Sequence, residues 1–124
     1  SPLHEQALGA IQAARKDGQT LWISRQVLRE YLVTLTRPQA FAALPRKIVL
    51  DQVEQFIKQF DVAEDTAAVT EHLLELLADY KLGGKQVHDA NIVATMKAYG
   101  IATLLTHNVK DFERFGEIIK IEEI

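Results

Sequence analysis

Four side chains stand out for the chemistry their types and positions allow. Glu30 lies in "SRQVLREYLVTLTRP", at the border of an apolar helical stripe. Asp89 lies in "GGKQVHDANIVATM", where Asp89, Val93 and Met96 recur at i, i+4 and i+7 on one face. Asn108 and Asp111 follow the apolar run "TLLT" within "ATLLTHNVKDFERF". Brought to one rim, these carboxylates and the amide form an oxygen-only site. At an effective dielectric of ~20 and ~4 Å, each like-charged pair costs about 4 kcal/mol. Such a cluster persists with a proton shared among the acids or a cation between them. Oxygen donors without cysteine suit Mg²⁺ or Mn²⁺, ions that orient water and stabilise a phosphoryl transition state.

Taken singly, each residue has an ordinary account. Glu30 reads as a surface carboxylate beside an arginine, and Asp89 as an acid favoured by a helix N-terminus. An acid on the apolar face of a buried helix nonetheless needs a partner. Asp111 reads equally as the cap of a short turn that Phe112 and Phe115 bury. The histidines, His4, His72, His88 and His107, form no HxxxH or HExxH pair, so a zinc site is not expected. His88 and His107 have positions that would flank the acidic rim, although a lone polar histidine is the commoner case. No glycine-rich phosphate loop and no G-x-S-x-G is present, and Gly83-Gly84 reads as a helix terminator.

The elements that must position these residues follow from periodicity and punctuation. A helix is predicted over Pro2 to Lys16, ended by Asp17-Gly18. "TLWIS", Thr20 to Ser24, reads as a strand. Ser24 caps a helix over Arg25 to Thr36 that Pro38 stops. Pro45 opens another helix, with Val49, Val53, Phe56, Ile57 and Phe60 on its inner face. A very short strand is placed around Asp61-Val62. Asp65 or Thr66 caps the next helix, whose stripe is Val69, Leu73, Leu76, Leu77 and Tyr80. Gln86 to Tyr99 is apolar nearly all round, the pattern of a buried helix, and Gly100 ends it. A strand over Thr103 to Thr106, a turn over Asp111 to Phe115 and a strand over Ile118 to Ile121 complete the chain. Strands alternating with helices predict a mainly parallel sheet covered on both faces. In such sheets ligands sit beyond the carboxyl ends of the strands.

Composition sets bounds on the whole. At 124 residues, with 48% hydrophobic and 25% charged residues, the chain has globular values and one domain's length. With no cysteine, disulfides and thiolate sites are excluded, which fits a reducing, cytoplasmic setting. No apolar run approaches the ~20 residues of a membrane span. A net charge of -3 gives no overall field that draws in nucleic acid. Contact with RNA would therefore rest on local cations, and Arg25, Arg29, Arg37, Arg46 and Lys47 are the candidates. A solvated helix face accounts for any one of them as well.

These residues, in this order, carry a resemblance. "ISRQVLREYLVTLTRP", "GGKQVHDANIVATMKAYGIATLLTHNVKDFERF" and the closing "IIKI" resemble PIN-domain proteins, and among them the VapC-type toxins of toxin–antitoxin pairs. The likeness runs over nearly the whole chain. It implies a metal-dependent ribonuclease with a three-layer α/β/α sandwich, often dimeric and held inactive by a small antitoxin. The family's helix glutamate falls on Glu30 and its third acid on Asp89. Its fourth acid follows the strand threonine in a T-x-D pattern, where this chain has Thr106-His107-Asn108. An amide thus replaces that acid. Asn108 can still offer a carbonyl oxygen to Mg²⁺, with weaker affinity, and Asp111 either supplies the missing charge or caps the turn.

The family also opens with a strand ending in Asp-Thr-Asn, and the present chain begins just past that point. A single domain, 1–124, N-terminally incomplete and lacking its first central strand, is the resulting expectation. The strand order puts that strand between "TLWIS" and "TLLT", so two inner edges and a slot are expected there. For the chain as it stands, the competing expectation is a non-catalytic PIN-like module that binds RNA or a protein. A receiver-like or flavodoxin-like domain fits the α/β pattern but gives no account of Glu30 and Asp89 together.

Overall fold

A computed structural model of the chain describes residues 18–37 and 45–124. The helix expected over Pro2 to Lys16 and the stop at Pro38 lie outside the described residues. In chain order the elements are β1 (Trp22–Ser24), α1 (Arg25–Thr36), α2 (Arg46–Ile57), β2 (Asp61–Ala63) and α3 (Ala67–Asp79). These are followed by α4 (Gln86–Tyr99), β3 (Thr103–Thr106), α5 (Val109–Phe112), a 3₁₀ turn (Glu113–Phe115) and β4 (Lys120–Glu123).

Local chemistry explains most boundaries. Ser24 caps α1, its Oγ accepting from the Val27 N–H at 3.1 Å. Arg37, the residue before a proline, leaves the helix with an extended backbone. Thr66, not Asp65, caps α3, its hydroxyl oxygen accepting from the Val69 N–H. Gly100 ends α4 at a φ of 68°, the left-handed conformation that glycine adopts without a Cβ penalty. The last strand starts two residues later than the sequence pattern places it. Both the Ile118 and Ile119 N–H groups bond back to the Phe115 carbonyl, so these apolar residues extend the preceding turn, and Ile119 is buried there.

Both strand pairings are parallel, as alternating strands and helices require. β1 lies beside β2, with Ile23 opposite Val62, and β3 beside β4, with Leu104 opposite Ile121. Among the described residues the two pairs do not join into one sheet. The larger core is built by α3 and α4 packed along each other. Val69, Leu76, Ala90, Val93, Ala94 and Met96 are buried there with Phe112, Phe115 and Ile119. A smaller cluster of Leu35, Val49 and Val53 joins α1 to α2.

Between the strand pairs runs a cavity of about 580 Å³, with Trp22, Ile23, Met96, Tyr99, Leu104 and Leu105 in its walls. The backbone phase shows which groups border it. The Leu21 carbonyl accepts from Asp61, and those of Ala102 and Thr106 accept from Lys120 and Ile124. Successive residues in a strand point their N–H and C=O groups to opposite edges. Trp22, Thr103 and Leu105 therefore turn theirs away from β2 and β4, toward this slot. Among the described residues the gap lies between β1 and β3. No described helix is long and apolar enough to cross a membrane.

Candidate functional site

Three elements carry the acids that the sequence singles out. Glu30 is on α1, Asp89 in the first turn of α4, and Asp111 within α5. α4 is fixed in rotation because Ala90, Val93 and Ala94 are wholly buried. This leaves Asp89 half-buried at the edge of the core. Its carboxyl is pushed above the ordinary value by burial first, then by the negative charges of Asp111 and Glu30, while Arg114 and His88 pull the other way. The three acids thus share one field, although they come from positions up to 81 residues apart. Among the described residues, however, no three His, Cys, Asp or Glu side chains lie close enough together to enclose an ion between them. What converges on Asp89 is charge.

The loop after β3 departs in detail from its expected role. Asp111 does not cap the turn. Asn108 holds the N-cap position of α5, and the Asp111 N–H bonds to the Asn108 carbonyl at 3.1 Å. The Asn108 N–H is tied to the Thr106 hydroxyl at 3.0 Å, and its side chain makes no capping hydrogen bond. The amide of Asn108 and the carboxylate of Asp111 are both exposed. Phe112 and Phe115 are buried on either side of the turn, as the aromatic spacing suggests.

The arginines divide. Arg25 is engaged by Glu64, with its Nε and Nη2 both 2.6 Å from Oε1. That contact raises the pKa of Arg25 and lowers that of Glu64, through the hydrogen bond first. Arg29 and Arg37 are exposed and form no ion pair among the described residues.

Two residues of this region escape sequence reasoning. Arg114, in the 3₁₀ turn, is near enough for its charge to reach Asp89; nothing in its spacing announces this. Gln26 is buried between α1 and α4, donating to Glu30 Oε1 at 3.2 Å and to the His88 carbonyl at 2.9 Å. Its oxygen accepts from Asn91 Nδ2 at 3.0 Å. The available signal was that Gln26 precedes Glu30 by four residues, which puts the two on one helix face.

Comparison with known proteins agrees with this architecture. The PIN domain profile matches residues 1–118. Ribonuclease VapC48 of Mycobacterium tuberculosis, from two strains, is 28% identical over 95% of this chain and 83% of its own length. Among solved structures, VapBC2 from Rickettsia felis bound to a DNA fragment from their promoter aligns with a TM-score of 0.70. The identity there is 21%, over 94% of this chain and 83% of that one. VapBC-1 from nontypeable Haemophilus influenzae aligns at 0.66 with 20% identity, over 92% and 84%. Parallel strand pairs linked through helices, acids of α1 and α5 that act on Asp89 of α4, and a profile match across nearly the whole length lead to one assignment: the chain belongs to the PIN-domain family.

Proposed function

We propose that this protein is a Mg²⁺- or Mn²⁺-dependent endonuclease acting on single-stranded RNA, the toxin of a toxin–antitoxin pair working in the cytoplasm. The observation that carries this reading is the state of Asp89. It is a half-buried carboxyl whose pKa is raised by burial and by two acids from other elements. Such mutual repulsion is a cost that a folded chain tolerates where a cation relieves it. The donors suit a hard ion, being carboxylate and amide oxygens with no sulfur. An enclosing trio is not required, because Mg²⁺ is commonly bound by one or two carboxylates and keeps several waters.

In this reading Glu30 and Asp89 hold the ion, with Asp111 adding negative charge and Asn108 a neutral carbonyl oxygen at the rim. The bound ion would orient water and offset charge on the phosphoryl group. Arg29 and Arg37 would meet the RNA backbone from α1, whereas Arg25 would first have to leave Glu64. A cognate antitoxin, the small protein that holds such toxins inactive, and a second copy of the chain are the proposed protein partners. The relatives named VapC and VapBC support this, as does the name ribonuclease that the mycobacterial one carries.

A second reading, a PIN-like module that binds RNA or protein without cutting, is favoured by Asn108 standing in the acid position. Cleavage of single-stranded RNA in Mn²⁺ separates the two. Glu30→Gln and Asp89→Asn should each lower the rate by about 100-fold or more, the scale of losing a group that acts on the reacting centre. Binding without cleavage, or cleavage indifferent to both substitutions, rejects the catalytic reading.

A further inference from the structure

We infer that Gln26 is a positioning residue that sets the separation of Glu30 and Asp89, an inference that rests on the metal site proposed above. The side chain is 8% exposed, too buried to leave its polar atoms to water, and each end of the amide is committed. The nitrogen faces Glu30 Oε1 at 3.2 Å and the His88 carbonyl at 2.9 Å. Both are acceptors, so the amide nitrogen must lie on that side. The reversed orientation would set an oxygen against a carboxylate and a carbonyl. The oxygen then requires a donor, and Asn91 Nδ2 supplies it at 3.0 Å.

One planar group therefore ties the carboxylate of Glu30 on α1 to the backbone of the residue just before Asp89 on α4. The two acids come from positions 59 residues apart, and among the described residues this amide is the hydrogen-bonded connection between their helices. Gln26 holds Oε1 of Glu30 and leaves its second oxygen free of this amide. Because the third bond goes to Asn91, one turn of α4 is held both at His88 and at Asn91. Neither helix can slide without breaking a buried hydrogen bond, and such breaks leave unpaired polar atoms that are costly.

The test compares Mn²⁺ affinity by calorimetry in the wild type, Glu30→Gln, Gln26→Met and the double variant, with thermal melting of each. Methionine matches the length of glutamine and fills the site without donating. Outer groups that orient a metal ligand typically change affinity by 10–100-fold, so Gln26→Met should weaken Mn²⁺ binding about tenfold. The double variant should fall below Glu30→Gln by less than the loss measured for Gln26→Met alone, because part of that loss is made through Glu30. Unchanged affinity in a folded Gln26→Met, or losses that multiply in the double variant, would overturn the inference while leaving the metal site standing. Unchanged affinity in Glu30→Gln would instead overturn the metal site, and this inference with it. If Gln26→Met melts before it can be titrated, Gln26→Asn gives the same comparison. It keeps an uncharged amide but is one methylene too short to span both helices, so affinity should again fall about tenfold, and a folded Gln26→Asn with wild-type affinity overturns the inference.

Discussion

Asp89 is the residue at which stability and proposed activity oppose each other. Its raised pKa means that the folded chain holds a proton over a range where the unfolded chain has released it. Stability therefore declines as pH rises from the ordinary value near 3.8 through the raised one, and is level above it. Asp89→Asn removes the charge and the repulsion from Asp111 and Glu30. It should gain about 1 kcal/mol near neutral pH, the scale of a corrected surface charge, with the gain fading as pH falls through the raised value and below 3.8, where the aspartate is neutral in both states. Urea midpoints of the two proteins across that range measure this, and a gain independent of pH would refute it. Asp89 was legible in the sequence as an acid on the stripe of Val93 and Met96. Gln26 was not, because its decisive partner is the His88 carbonyl, 62 positions away. A local pattern carries no information about which carbonyl a distant helix will present.

Helices were the most legible elements, since their ends are written in side chains. Ser24, Thr66 and Gly100 mark boundaries through hydrogen bonds or backbone freedom that the residues themselves supply. β4 was misplaced because Ile118 and Ile119 have strand-like composition while their N–H groups are already used by the Phe115 carbonyl. That turn is in turn fixed by Phe115, which is 1% exposed and stacks at a tilt on Tyr80, with ring centroids 5.0 Å apart. Phe115→Ala should cost about 3–5 kcal/mol. Because Phe115 anchors the turn that carries Arg114 and follows Asp111, the residual folded protein should also show disorder confined to residues 107–116. Denaturant unfolding together with backbone resonance intensities tests both parts.

On the scale of the whole molecule, the notable feature is a parallel α/β fold whose described strands fall into two pairs. The sequence foretold parallel strands. What no local pattern specifies is which edge each strand turns toward its neighbour; this depends on the register of Ile23 with Val62 and of Leu104 with Ile121. Native-state hydrogen exchange provides a check. The amides of Trp22, Thr103 and Leu105, which face the slot, should exchange faster than those of Ile23 and Leu104, which face their partner strands. Equal protection in both sets would mean that the slot edges are paired. The same wall has a practical consequence. Trp22 is the chain's only tryptophan, and its ring lies 5.4 Å from that of Tyr99 at the border of the slot. Excited at the red edge, where the three tyrosines do not absorb, this chain emits from a single ring in a single place, and whatever enters or leaves the gap between the strand pairs can be followed optically without a label.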